Sequence, residues 1–168
     1  MSTPASILVG CNNKVVQIRV EGKGSFLNSG NLKEFAREMI GRGYFDFIVD
    51  LAHCPVIDST FMGTLTGMAI QLQEHETGHL SIINLNDRNR DLLCNLGLNQ
   101  LFLIESESVT PHVAGNQKLL ETTSDVDRLK QAQTMLEAHE ALVEADPKNL
   151  IRFKDVLDYL RQDLQRPE

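Results

Sequence analysis

Cysteine is scarce and unpaired in this chain. Cys11, Cys54 and Cys94 form an odd set without paired-Cys spacing, so neither a disulfide framework nor a zinc ribbon is implied. The composition reads as three reduced thiols in a cytosolic protein, with Cys94 expected in the core. Long apolar runs are missing too. No window approaches a transmembrane span, and the opening segment Met1–Ser6 lacks the basic residue and apolar stretch of a signal peptide. A cytoplasmic protein without membrane insertion is the expectation. Positive charge is in short supply, with 16 Lys and Arg against 23 Asp and Glu and a formal net charge of −7. Nothing here supplies a basic groove for phosphates, which argues against direct nucleic-acid binding. Arg88 and Arg90 do stand together, but Asp87 and Asp91 flank them, as on a solvated helix face.

What is present is ordinary soluble-protein material, 42% hydrophobic and 23% charged over 168 residues. That is enough for one domain with a real core plus an appendage. Two β-rich runs, Ile7–Cys11 and Val15–Val20, flank a hairpin turn at Asn12-Asn13-Lys14. Gly22 and Gly24 end the second strand, and Asn28-Ser29-Gly30 reads as a turn. Leu32, Phe35, Ala36, Met39 and Ile40 then share a helical stripe that stops at Gly41 and Gly43. A strand at Phe45–Leu51, a helix after Ser59, a strand at Leu80–Leu85 and a short helix at Asp87–Leu96 follow. Alternating strands and helices predict an α/β fold, a mixed β-sheet with helices packed on it, over residues 1–105.

Residues 106–124, with Ser106, Ser108, Pro111, Gly115 and a Thr-Thr-Ser cluster, read as a linker. Residues 125–168 read as a C-terminal helical hairpin. Val126, Leu129, Ala132, Leu136 and Val143 lie at helical spacing, with Ser124 as N-cap. Asp146-Pro147 stops that helix and starts the next, whose stripe is Leu150, Phe153, Val156, Leu157, Leu160 and Leu164. Ala141–Pro147 faintly resembles the end of a tetratricopeptide repeat, but one hairpin is not an array.

The segment Ile57-Asp58-Ser59-Thr60-Phe61-Met62-Gly63-Thr64-Leu65 is the most informative stretch. A strand enters it through a turn containing Pro55, and a helix with Phe61, Leu65, Met68 and Leu72 on one side leaves it. A serine there sits at a positive helix end with unpaired N–H groups, a place that welcomes a phosphate. Asp58 can cap the helix and leave Ser59 free to react.

Asp58-Ser59-Thr60, followed by Gly63 and Leu65, resembles the signature of STAS domains, the family of bacterial anti-sigma-factor antagonists. The surroundings are similar as well: Asp50-Leu51 at the strand end, Gly78–Leu85, Leu92–Leu98 ending in Gly-Leu, and the short run Leu101–Ile104. The likeness spans residues 6–105. It implies a non-enzymatic switch without a cofactor. Ser59 would be the phosphoryl acceptor, with Thr60 less favoured, and Asp58, Ser59, Thr60, Phe61, Met62 and Gly63 would form the partner-binding face. In such a switch the unmodified form binds an anti-sigma serine kinase and frees the sigma factor, and a PP2C-type serine phosphatase resets it. Two features depart from the family pattern: Phe61 replaces a small residue, and the hairpin is extra. The aromatic ring must either fill the core or enter the docking surface. The edge strand and the hairpin both offer surfaces for a homodimer.

Other readings compete. The same domain can act as a non-phosphorylated scaffold or a transport-system subunit. His75-Glu76-Thr77-Gly78-His79 matches the zinc-peptidase pattern H-E-x-x-H. That chemistry needs both histidines on one face of a continuing helix, whereas Gly78 is expected to end the helix and His79 to begin a strand. Spacing alone leaves a distant third ligand such as Glu105 open. A hydrolase built on Ser59, His53 and Asp58 lacks the G-x-S-x-G elbow, and Cys54 has no evident base. His112 and His139 stand isolated in the sequence.

Overall fold

The computed structural model describes residues 5–105, 117–120 and 127–165. A six-stranded mixed sheet with the order β5-β4-β3-β2-β1-β6 organises them. β1 (Ser6–Asn12) and β2 (Val15–Glu21) are antiparallel, joined at Asn13 and Lys14, both with positive φ. Such left-handed pairs match the twist of a tight hairpin. β3 (Asp46–His53), β4 (His79–Ile83) and β5 (Leu103–Ile104) continue parallel to β2. β6 (Lys118–Leu119) closes the other edge, antiparallel to β1. Most of the predicted linker lies outside the described residues, as do His112, Ser124 and Val126.

α1 (Phe26–Gly41) starts earlier than its sequence suggests. Asn28, Ser29 and Gly30 are inside it rather than in a turn. The Ser25 side chain accepts from Leu27 N, Asn28 Oδ1 accepts from Ser25 N at 2.9 Å, and Ser29 Oγ donates to Ser25 O at 2.7 Å. Turn-forming side chains are here used for capping. α2 (Ser59–Gln73) puts Phe61, Leu65, Met68 and Leu72 into the core, all under 4% exposed. α3 (Asp87–Asn95) buries Leu93 but leaves Cys94 exposed, against the expectation of a core thiol. Cys94 falls on the outer side of the helix, one residue past the buried position. Cys54 is the buried one, and desolvation raises its thiol pKa.

α4 (Arg128–Ala145) is capped by Asp127, whose side chain accepts from Leu129 N. α5 (Asn149–Gln165) returns along α4. Phe153, Leu157 and Leu160 are buried as the stripe predicts, whereas Leu150 and Val156 are exposed. Leu142, Phe153 and Leu157 join the main hydrophobic core. α4 lies over α2 and α1, so α2 is enclosed between the sheet side and the hairpin. That explains why Thr60 through Thr66 are all buried, an enclosure the one-sided apolar stripe does not foretell.

Candidate functional site

Ser59 is the first residue of α2, and Asp58 is its N-cap. The Asp58 carboxylate serves two helices. Oδ1 accepts from Phe61 N at 2.8 Å, and Oδ2 accepts from Phe26 N at 2.9 Å at the start of α1. The backbone links the same two ends, because Asp58 N donates to Gly24 O at 2.9 Å and Gly24 N donates to Val56 O at 3.0 Å. Each cap stabilises by about 1 kcal/mol. With Asp58 thus occupied, the Ser59 hydroxyl is not needed for capping.

The loop that delivers Ser59 is fixed from α3. Asn89 is 1% exposed; its Oδ1 accepts from Ile57 N at 3.2 Å and its Nδ2 donates to Cys54 O at 3.0 Å. Asn86 caps α3 and also donates through Nδ2 to Pro55 O at 3.1 Å. These asparagines are positioning residues that the sequence reading did not pick out. Their three-residue spacing at a helix start was the available signal.

Phe61 fills the core rather than the surface. Its ring lies against Gly24, where an added Cβ would meet Phe61 Cδ1 at 2.9 Å. Met62 is also fully buried. Of the predicted partner-binding residues, Asp58 and Ser59 are half-buried, and Thr60 is almost fully covered. Gly63 faces α4 so closely that a Cβ would strike the Ala138 carbonyl. Ser59, Gly63 and Gly67 repeat every four residues and form a small-residue stripe opposite Phe61 and Leu65. α4 is seated on that stripe.

The residue brought to Ser59 is His139. Its Nε2 lies 3.0 Å from Ser59 Oγ, and its Nδ1 lies 2.7 Å from Met135 O. A carbonyl only accepts, so in the neutral ring Nδ1 carries the hydrogen and Nε2 accepts the Ser59 O–H. His139 is 3% exposed and meets Phe153 edge-on at 4.9 Å between centroids. Eighty residues separate the two partners, and no local pattern in the sequence links them.

The hydrolase and zinc readings fail on geometry. His53 is exposed on the end of β3, Asp58 is committed to two backbone N–H groups, and the other nitrogen of His139 faces a carbonyl rather than a carboxylate. α2 ends at Gln73, before His75. His75 stacks on Phe45 with centroids 3.9 Å apart, while His79 opens β4 and places Nε2 2.9 Å from Asp46 Oδ1. The two rings therefore serve different contacts. Among the described residues no cluster of His, Cys, Asp or Glu could hold a metal, and no helix is long and apolar enough to cross a membrane.

Comparison with known proteins bears on this geometry. The family model of the STAS domain matches residues 6–114. An anti-sigma factor antagonist from Mycobacterium paratuberculosis is similar in structure, with 16% identity and a TM-score of 0.56 over 64% of this chain and 92% of its own. The anti-sigma factor antagonist SpoIIAA in its unphosphorylated form gives 17% identity and a TM-score of 0.51, over 62% of this chain and 90% of its own. SpoIIAA of Bacillus in the phosphorylated form gives 19% and 0.50, over 61% and 93%. At these identities the structural likeness speaks for the fold. No curated protein sequence matches the chain.

Proposed function

Because the chain belongs to the STAS-domain family, we propose that it is an anti-sigma-factor antagonist, a cytoplasmic, non-enzymatic binding switch controlled at Ser59. The unphosphorylated form binds an anti-sigma serine kinase and releases the sigma factor. Phosphorylation of Ser59 ends that binding, and a PP2C-type phosphatase restores it. The observation that carries this reading is the division of labour at the start of α2: Asp58 caps α2 with one oxygen and holds the start of α1 with the other, leaving the adjacent hydroxyl at a positive helix end. A phosphate adds roughly −1.5 to −2 charges and strong acceptors there. Charge and bulk at this point block docking without unfolding the domain. SpoIIAA, described in both unphosphorylated and phosphorylated forms, has a similar fold, in keeping with a fold that carries such a modification.

One observation favours a second reading, the non-phosphorylated scaffold or transport-system subunit: the Ser59 hydroxyl already has a buried partner in His139. Binding to purified anti-sigma kinases of the source organism separates the two. Ser59→Ala is expected to bind in the presence of ATP without being switched off, and Ser59→Asp to bind at least tenfold more weakly. Equal binding by both variants removes the switch.

A further inference from the structure

We infer that the C-terminal hairpin is an internal cover for the Ser59 face, and that the face is open to a partner only when α4 lifts away. The inference rests on the reading of Ser59 as the partner-binding point. It goes beyond that reading because the hairpin lies past residue 114, where the family match ends.

α4 occupies the outer side of α2 directly. His139 takes the Ser59 hydroxyl, the Ala138 carbonyl sits over Gly63, and Ala141 Cβ would lie 3.7 Å from a Cβ placed at Gly67. A protein docking on Ser59 through Gly67 and this helix cannot share that space. The seam is held mainly by packing, with Leu142 of α4 in the core. Among the described residues its polar ties are few: a part-buried Lys33 Nζ to Glu137 Oε2 pair at 2.6 Å, the part-buried contact of Ser59 with His139, and the buried bond from Asn149 Nδ2 to Leu96 O at 3.0 Å. A solvent-open groove of about 140 Å³ runs beside the seam between α1, α2 and α4, lined by Lys33, Arg37, Gly63, Gly67, Thr134 and Glu137. Ser59 with His139 is the clasp. It ties the modification point to the cover, so events at the hydroxyl are felt by the hairpin.

Native-state hydrogen exchange on the full chain tests this without a partner. Cooperative units of a fold open separately when their stabilities differ. The amides of Ala138 and Leu142 in α4 are expected to exchange at least tenfold faster than those of Phe47 and Val49 in β3. His139→Ala should speed α4 about tenfold more and leave β3 unchanged, the effect of one lost hydrogen bond. Ser59→Ala should do nearly the same, and the double variant no more than either, because the two residues share one contact. Equal exchange of α4 and β3, or an equal shift of both in His139→Ala, makes the hairpin part of the cooperative core and overturns the cover.

A crosslink tests the consequence. The 3.7 Å separation at Gly67 and Ala141 matches the Cβ spacing of a disulfide, about 3.8 Å. With exposed Cys11 and Cys94 changed to serine, a Gly67→Cys, Ala141→Cys chain can be locked by oxidation and released by reduction. The locked form is expected to bind the anti-sigma kinases at least tenfold more weakly than the reduced form. Equal binding by both forms overturns the cover alone. Failure of both to bind, where Ser59→Ala also fails, overturns the reading of Ser59 and the cover with it.

Discussion

Asp58 and Ser59 are adjacent yet do different work, and chain geometry explains it. The N-cap position points its carboxylate at the open N–H groups of α2, and the neighbouring start of α1 brings Phe26 N to the second oxygen. Asp58→Ala removes both bonds and should lower stability by about 2 kcal/mol, about 1 per cap, read from urea unfolding midpoints. Asp58→Asn keeps one acceptor oxygen and should fall roughly midway. A loss below a few tenths of a kcal/mol for Asp58→Ala would contradict the double cap. The role of Asp58 was legible in the sequence because a cap is a local matter, one residue before its helix. His139 was not legible. It reaches Ser59 only through the path of the whole chain, and a lone histidine on a helix carries no sign of its distant partner. The same limit hid the second bond of Asp58.

The two sides of α2 differ in the same way at the scale of the element. Phe61, Leu65, Met68 and Leu72 announce the sheet-facing side by size and spacing. The opposite side, Ser59, Gly63 and Gly67, is equally regular, but small residues do not show whether a neighbour or water lies beyond them. The structure puts α4 there, at unequal distances. A methyl at Gly67 would meet Ala141 at an ordinary contact distance, whereas one at Gly63 would strike the Ala138 carbonyl. Gly67→Ala should therefore gain about 0.5–1 kcal/mol from reduced backbone freedom in a helix, and Gly63→Ala should lose about 1–3 kcal/mol by overpacking. Urea unfolding of both variants checks the pair; a gain from Gly63→Ala would show that α4 does not rest on it. The early start of α1 was missed because Asn28, Ser29 and Gly30 resemble a turn in isolation. Ser25 and Asn28 bond each other across the helix start instead.

The alternation of strands and helices made the mixed sheet legible for the whole molecule, since each element buries a face of the right period. It could not give the seating of the hairpin, which depends on how small residues on α2 and α4 meet. The charge deficit, the absence of a metal cluster among the described residues and the separation of His75 from His79 all leave Ser59 as the site with a chemical argument behind it. The central claim is that Ser59 carries phosphate. Tandem mass spectrometry of the protein purified from its source organism, across growth and stress conditions, tests it most directly. No Lys or Arg occurs between Arg42 and Arg88, so cleavage before aspartate yields a more tractable Ser59 peptide than trypsin does. The account predicts phosphate on Ser59, present in some conditions and absent in others. A fully covered peptide that is unmodified in every condition would contradict it.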